Sequence, residues 1–448
     1  MLTMLCRRVS SSTRKQIWDF SRCMASTQPS VKDSKDCRLL VVGGGSGGLA
    51  TASSFSSKLG KGKVIVIEPR DMHFYQPMWT LVGGGIKPLR DSVRPMKSVM
   101  PRQAQWVKDQ VEVFRPEENC VITKGGTQIR YDFLVVAMGI QVRFDMIKGL
   151  EDALQTPYVG SNYSYETVTK TLSAMKNLKG GNAVFTFPAT PVKCPGAAQK
   201  IIYLTDAYLR AEKRREETNL IFNTSLGVLF GVKKYADALW KVVEKKGVQV
   251  NLRQELVEVK AKSKEAIFQL LDSKASPKET ATYKYEMLHV VPPMVAPPPL
   301  KSAPSLTDAA GFLNVDASTL QHKTFPNIFG IGDCTNLPTA KTAAAVAAEY
   351  GVLSKNLESV MNGKKAEKKY DGYTSCPLVT GFNRCILAEF DYSMNPLETF
   401  PMNQAVERKT MYYLKKDIMP QLYWHFLLRG HWGGPGHVRK LLHLGLSR

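Results

Sequence analysis

Paired cysteines, long apolar runs and acidic residues are all scarce in this chain of 448 residues. Its eight cysteines include no Cys-x-x-Cys and no zinc-like spacing. That excludes a secreted disulfide framework and leaves no metal site to expect. No uninterrupted apolar stretch approaches the roughly 20 residues that span a bilayer. Asp and Glu number 39 against 61 Lys and Arg, a formal charge of +22. Such an excess calls for an anionic partner. The basic residues are scattered and no nucleic-acid motif appears, so no nucleic acid is expected and an anionic membrane surface is preferred. The length allows two or three domains, each with its own core.

Residues 1–26 hold five Lys or Arg, one acid and several Ser, and lack the continuous apolar centre of a secretory signal. This is the composition of a mitochondrial transit peptide.

What the chain does have begins at CRLLVVGGGSGGLATASSF, residues 37–55. Leu39 to Val42 is long enough for a buried parallel strand and too short for a helix. It runs into G-x-G-x-x-G at Gly43, Gly45 and Gly48, with Ser46 and Gly47 between, and small residues then resume at helical spacing. Gly43 permits the tight turn, Gly45 lets backbone approach a pyrophosphate, and Gly48 lets helix pack on strand. An anion would sit at the helix N-terminus, among free N–H groups. A second apolar run, Val64 to Ile67, ends in Glu68, placed to accept hydrogen bonds from an adenosine ribose. The strand–turn–helix–strand–acid order makes this a dinucleotide site.

Further on, Val111 to Phe114 and YDFLVVAMG (131–139) read as strands about a Gly125-Gly126-Thr127 turn. Residues 182–252 alternate strand and helix as a second β-α-β unit, and 255–291 alternate as hairpin strands. Proline-rich 292–299 cannot be helical throughout. FPNIFGIGDC (325–334) is one more apolar strand, ending at Asp333. The Ala-rich TAKTAAAVAAEY (339–350) reads as a helix whose small side chains demand a close partner. From Met411 to Leu428, the residues Leu414, Ile418, Leu422 and Phe426 share one helical face, which Pro420 is expected to break into two short helices. With Lys415, Lys416, Arg429, Arg439 and Lys440 beside it, this face reads as an interfacial membrane anchor in preference to a packed helix pair.

Two cysteines stand apart. Cys194 follows Lys193 in PATPVKCPGAAQK and opens a helix, both of which favour a thiolate. Cys376 lies in YTSCPLVTG, expected to be a loop between Gly372 and Gly381. Cys37, Cys120, Cys334 and Cys385 fall in strand or core patterns.

GGGSGG with Glu68, YDFLVVAMG, and FGIGDC followed by PTAKTAAAVAAE resemble the two-dinucleotide-binding-domain flavoproteins. The resemblance implies an α/β fold of two Rossmann-like domains. Residues 37–149 and 300–363 would form an FAD domain split by a second domain, 150–299. A membrane-associating region, 370–448, would follow. It implies FAD contacts at Gly43, Gly45, Ser46, Gly47, Gly48, Glu68, Gln76, Val111, Asp333, Lys341, Thr342, Ala343 and Ala344. Pyridine-nucleotide-using members carry a second G-x-G-x-x-G where this chain has Pro191, Cys194 and Pro195, so a second dinucleotide is not expected there.

PVKCPGAAQK and YDGYTSCPLVTG, with GSNYS, FGVKKYADAL and WGGP, are similar to the sulfide:quinone oxidoreductases of the eukaryotic mitochondrial type. That likeness implies a peripheral enzyme of the mitochondrial inner membrane with Cys194 and Cys376 as its catalytic residues. Hydrogen sulfide would open their disulfide to a persulfide. Two electrons would pass through FAD to ubiquinone, and the sulfane sulfur to a small acceptor such as glutathione or sulfite. Two rivals share these features: a type II NADH:quinone dehydrogenase, disfavoured by the missing second glycine pattern, and a flavin-stabilised redox sensor without turnover.

Overall fold

The structure, a computed structural model, describes residues 31–446. The expected transit peptide lies outside them. The first sheet starts with β1, Asp33–Val42, followed by α1, Ser46–Leu59, and β2, Val64–Ile67. β1 pairs in parallel with β2 (Leu39 opposite Val64) and with β3, Thr127–Val136 (Leu39 opposite Phe133). β1 and β3 both extend further than the apolar runs suggest, because Asp33 to Asp36 pair with Thr127 to Arg130. The sheet runs Gln105–Val107, β2, β1, β3, Cys120–Thr123 and Val111–Arg115. The last two make the antiparallel excursion around the glycine turn.

A second parallel sheet is centred on β4, Gly181–Phe187, which leads to α2, Ala197–Ala211. Thr218–Thr224 and Val248–Leu252 continue it on one side and Met287–His289 on the other. The alternating stretch 255–291 supplies a three-stranded antiparallel sheet, Gln254–Lys260, Glu265–Leu270 and Thr280–Lys284. The chain then returns to the first sheet: β5, Ile328–Gly330, pairs in parallel with the C-terminal part of β3. This is the expected α/β architecture of two Rossmann-like units.

The Ala-rich helix, α3, spans Ala343–Met361, longer than the sequence suggested. Its close partner is the C-terminal WGGP segment. A Cβ on Gly351 would lie 2.5 Å from the Gly433 carbonyl oxygen, and one on Gly434 3.0 Å from the Ala348 Cα. Small residues on both sides let the two backbones touch.

Two expectations fail here. The segment around Cys376 is no loop: β6, Thr374–Gly381, pairs antiparallel with β7, Arg384–Phe390, and every residue of β6 is buried. Burial on both faces removes the polar alternation that would have marked it as a strand. Nor does Pro420 divide its helix. Lys409–Tyr413, a π-helical turn at Leu414–Ile418, and Met419–His425 follow without a gap. Pro420 sits in the first turn after the π-helical one, where its missing N–H costs little. One face of this helix, including Tyr423 and Trp424, is buried in the core of the first sheet. Ile418 and Phe426 on the other face are half exposed. Among the described residues no helix is long and apolar enough to cross a membrane.

Candidate active site

The ends of β1, β2 and β5 converge on a cavity of about 500 Å³. Its floor is the glycine loop. Gly43 holds φ at +108°, and a Cβ on Gly48 would sit 1.8 Å from the Gly43 carbonyl oxygen. Helix α1 can therefore press onto the end of β1 only with glycine at both positions. The Gly44 N–H donates to Glu68 Oε2 at 2.7 Å, and Arg70 N–H donates to Oε1 at 2.9 Å. The carboxylate at the end of β2 is thus fixed beside the loop.

Gly45, Ser46, Gly47, Glu68, Gln76, Asp333, Lys341, Thr342, Ala343 and Ala344 all line the cavity. Gly43 and Gly48 lie beneath the loop and shape it. Val111 is the exception: its side chain is buried in the core of the first sheet and does not face the cavity. The Thr342 hydroxyl accepts from Ala345 N–H at 3.1 Å, capping α3. The first N–H groups of the helix, at Ala343 and Ala344, have no acceptor within it. Burial raises the Asp333 carboxyl, against the pull of Lys341 and Lys193. Glu349, which accepts from Gly332 N–H at 2.7 Å, is pushed by burial up to about 7.

Cys194 and Cys376 come together at the far end of the cavity. Cys194 is half-buried, lines the cavity, and holds a left-handed φ of 50°, unusual for a residue with a side chain. Its N–H donates to the Lys341 carbonyl at 2.7 Å, which ties it to the approach to α3. Cys376 reaches it from β6 across Gly196. A Cβ at Gly196 would lie 2.4 Å from Cys376 Sγ, so only glycine lets the two sulfurs meet. Both thiols are free, and they share a hydrogen bond.

That bond holds Cys194 well below the ordinary thiol range. Burial opposes the shift, and the ammonium groups of Lys200 and Lys415 add to it. Cys376, the donor in the same bond and buried as well, is raised. The pair therefore keeps one proton on Cys376 and presents Cys194 as the thiolate.

The cations responsible were not the one the sequence suggested. Lys193 stands over the Trp79 ring at 5.3 Å, not on the thiolate, and burial lowers it to about 8. Lys200, one turn into α2 and 2% exposed, donates to Cys194 Sγ at 3.4 Å. Lys415 enters from the π-helical turn and donates to the Pro77 carbonyl at 2.9 Å. Burial, together with repulsion from Lys200, lowers it to about 8. Nor does Cys194 itself open a helix, since α2 starts at Ala197. The signal for Lys200 was its spacing along PVKCPGAAQK, which puts a lysine on the inward face of α2. No sequence signal marked Lys415, because nothing local shows that a π-helical turn points it inward.

Several buried polar groups lining the cavity have no protein partner: Trp79 Nε1, the Asn162 amide and Ser375 Oγ. They provide hydrogen-bonding capacity for a polar occupant. Cys120, Cys334 and Cys385 are buried and Cys37 half-buried, none of them lining the cavity. Among the described residues no His, Cys, Asp and Glu cluster could hold a metal.

The profile of the pyridine nucleotide-disulphide oxidoreductase family matches residues 37–178. The chain is 54% identical over 409 residues to the mitochondrial sulfide:quinone oxidoreductase of Mus musculus, covering 91% of this chain and 90% of that one. It is 46% identical to the protein of the same name from Dictyostelium discoideum, over 89% of this chain and 87% of that one. The crystal structure of the sulfide:quinone oxidoreductase from Aquifex aeolicus superposes with a TM-score of 0.75 at 19% identity, covering 92% and 96% of the two chains. That likeness speaks for the fold. The identities to the two mitochondrial proteins go further: the chain belongs to the mitochondrial sulfide:quinone oxidoreductase family.

Proposed function

We propose that this protein oxidises hydrogen sulfide and passes the electrons to a quinone at a mitochondrial membrane. The observation that carries the reading is the Cys194–Cys376 pair, set at the end of the dinucleotide cavity between two buried lysines. FAD is the cofactor, and the residues fit it. The glycine loop and α1 would receive the pyrophosphate, Glu68 the ribose, and Asp333 the linking region. The free N–H groups of Ala343 and Ala344, with the unpartnered polar atoms, would offer donors to the flavin. When bound, FAD accepts two electrons at the cysteine pair and yields them to the quinone.

The cysteines work in their disulfide form. Hydrosulfide attacks Cys376 Sγ, the sulfur–sulfur bond breaks, and its electron pair leaves on Cys194. Cys376 then carries the persulfide. The direction follows from the lysines, since the better leaving group in thiol–disulfide exchange is the thiol of lower pKa. A small nucleophile such as glutathione or sulfite removes the outer sulfur, and loss of two electrons closes the disulfide again. Burial of Cys376 means that hydrosulfide reaches it through the interior and not across an open loop. Anaerobic titration with sulfide tests the whole reading. The flavin absorbance should bleach stoichiometrically and return on addition of a ubiquinone analogue; an unbleached flavin would overturn it.

The second unit should not deliver electrons from NADH. The segment after β4 lacks the glycine turn, and its Cys194 N–H is already committed to Lys341. Stopped-flow mixing with NADH should leave the flavin oxidised on the timescale of sulfide reduction. Reduction at a comparable rate would restore the NADH dehydrogenase reading.

Attachment to an anionic membrane surface rests on the C-terminal segment. Leu441, Leu444 and Leu446 are 76%, 87% and 91% exposed, beside Lys440. Ile418, Leu422 and Val438 line the cavity nearby, giving a quinone an apolar way in from lipid. Removing residues 410–448 would strip buried core, so substitution is the cleaner test. Leu444→Ser with Leu446→Ser should weaken binding to vesicles containing anionic lipid by about a hundredfold, at roughly 1.5 kcal/mol per leucine. Unchanged co-sedimentation would exclude this surface.

A further inference from the structure

The dinucleotide loop is tied by a chain of hydrogen bonds in the cavity wall to the C-terminal helix. His73 Nδ1 lies 3.0 Å from the Gly44 carbonyl oxygen, and its Nε2 lies 2.6 Å from the Tyr423 hydroxyl. A carbonyl can only accept, so Nδ1 carries the proton, Nε2 accepts, and Tyr423 donates. The Tyr423 oxygen then accepts from Ser46 Oγ at 2.9 Å, at the first turn of α1. With the imidazole neutral, each of the three bonds has one direction. Burial, with Arg94 adding and the Gly44 bond opposing, holds His73 at about 4. Gly44 is thus pinned on its N–H by Glu68 and on its carbonyl by His73.

The same C-terminal segment grips both helices whose N-termini face the cavity. Ser53 of α1 donates to the Leu428 carbonyl at 2.7 Å, and Tyr350 of α3 donates to the Gly430 carbonyl at 2.8 Å. Trp424 packs edge-on against His73 with the Arg94 guanidinium over its ring.

We propose that Tyr423 and His73 are cofactor-positioning residues, a latch through which docking of the C-terminal helix holds the pyrophosphate loop in its FAD-binding form. Linkage makes the effect reciprocal: bound FAD tightens the C-terminal helix, and a docked helix retains FAD. The lipid-facing end of the molecule and the cofactor cavity are then coupled through the C-terminal helix. This inference rests on FAD occupying the cavity but not on sulfide as substrate, and its test reads flavin retention and not turnover.

Tyr423→Phe in the full-length, FAD-loaded protein should release FAD at least about tenfold faster after dilution, followed by flavin fluorescence, the scale of losing the buried hydrogen bonds to His73 and Ser46. Val121→Ala loosens the same core away from the cavity and keeps the latch, so it should lower Tm while leaving the release rate at the wild-type value. Because either variant can fold poorly, hydrogen exchange on the wild-type protein supplies a second arm. Amides of residues 419–430 should exchange more slowly with FAD bound than without. Wild-type release from Tyr423→Phe would overturn the latch, as would release by both variants in proportion to their lost stability. Exchange in 419–430 that ignores FAD would overturn the linkage.

Discussion

Cys194→Ser and Cys376→Ser should each lower sulfide-dependent quinone reduction by about 10³-fold or more, the scale of losing an essential nucleophile. One sulfur alone cannot form the disulfide that hydrosulfide attacks. The two variants should nevertheless differ. With Cys376 gone, Cys194 keeps Lys200 and Lys415, and a serine hydroxyl can still donate to it. It should remain a thiolate at neutral pH and react quickly with iodoacetamide. With Cys194 gone, Cys376 loses its thiolate partner and stays buried in β6, so it should alkylate slowly. Peptide mass spectrometry after a brief alkylation distinguishes the two. Fast alkylation of Cys376 in Cys194→Ser would reverse the roles assigned to them. Near wild-type turnover by either variant would remove the paired-cysteine mechanism altogether.

Gly196 shows how closely that pair depends on the backbone. In the sequence, Pro191 and Pro195 around Cys194 mark the missing second glycine pattern. What brings the second sulfur in is the missing side chain two residues later, which only the placement of β6 reveals. The dinucleotide half was legible because its requirements are local: a strand, three glycines, a helix and an acid at fixed spacing. Glu68 and Gly44 meet as that spacing demands. Val111 came in through the resemblance alone, and a strand position fixes the face of a side chain only when its neighbours are known; here the side chain faces the core. Lys415 and Tyr423 were unreadable for a related reason. Both act more than 300 residues from their partners, Pro77 and His73, along a helix whose phase shifts at a π-helical turn. A face drawn at regular helical spacing through Leu414, Ile418, Leu422 and Phe426 does not register that shift. It described the cavity-facing and exposed side and missed the side that locks onto the first core.

Lys200→Met should raise the pKa of Cys194 and slow every step that needs its thiolate. In the wild-type protein the Cys376 hydrogen bond favours the thiolate, burial opposes it, and the Lys200 and Lys415 charges add to the lowering. The burial cost is unaffected by the substitution, while the nearer cation, in direct contact at 3.4 Å, is lost. The proton on Lys200 is itself opposed by burial and retained because of the two cysteines, so the pair is mutual. Loss of one unit in pKa separation corresponds to about 1.4 kcal/mol, or tenfold in the thiolate fraction below the new midpoint. The midpoint of Cys194 alkylation against pH should therefore rise by at least about one unit in reduced Lys200→Met. At pH 7 the alkylation rate should fall, and above the new midpoint the two proteins should converge. Hydrosulfide attack should slow in parallel, because Cys194 becomes the poorer leaving group. Methionine fills a similar volume but leaves the Cys194 thiolate buried without its nearer cation, so the reduced protein should lose thermal stability wherever Cys194 stays ionised. Lys200→Arg keeps the cation and should recover part of the low midpoint. A profile for Lys200→Met that superposes on the wild type would mean that Cys376 and Lys415 suffice, and that Lys200 is not what sets the direction of the exchange.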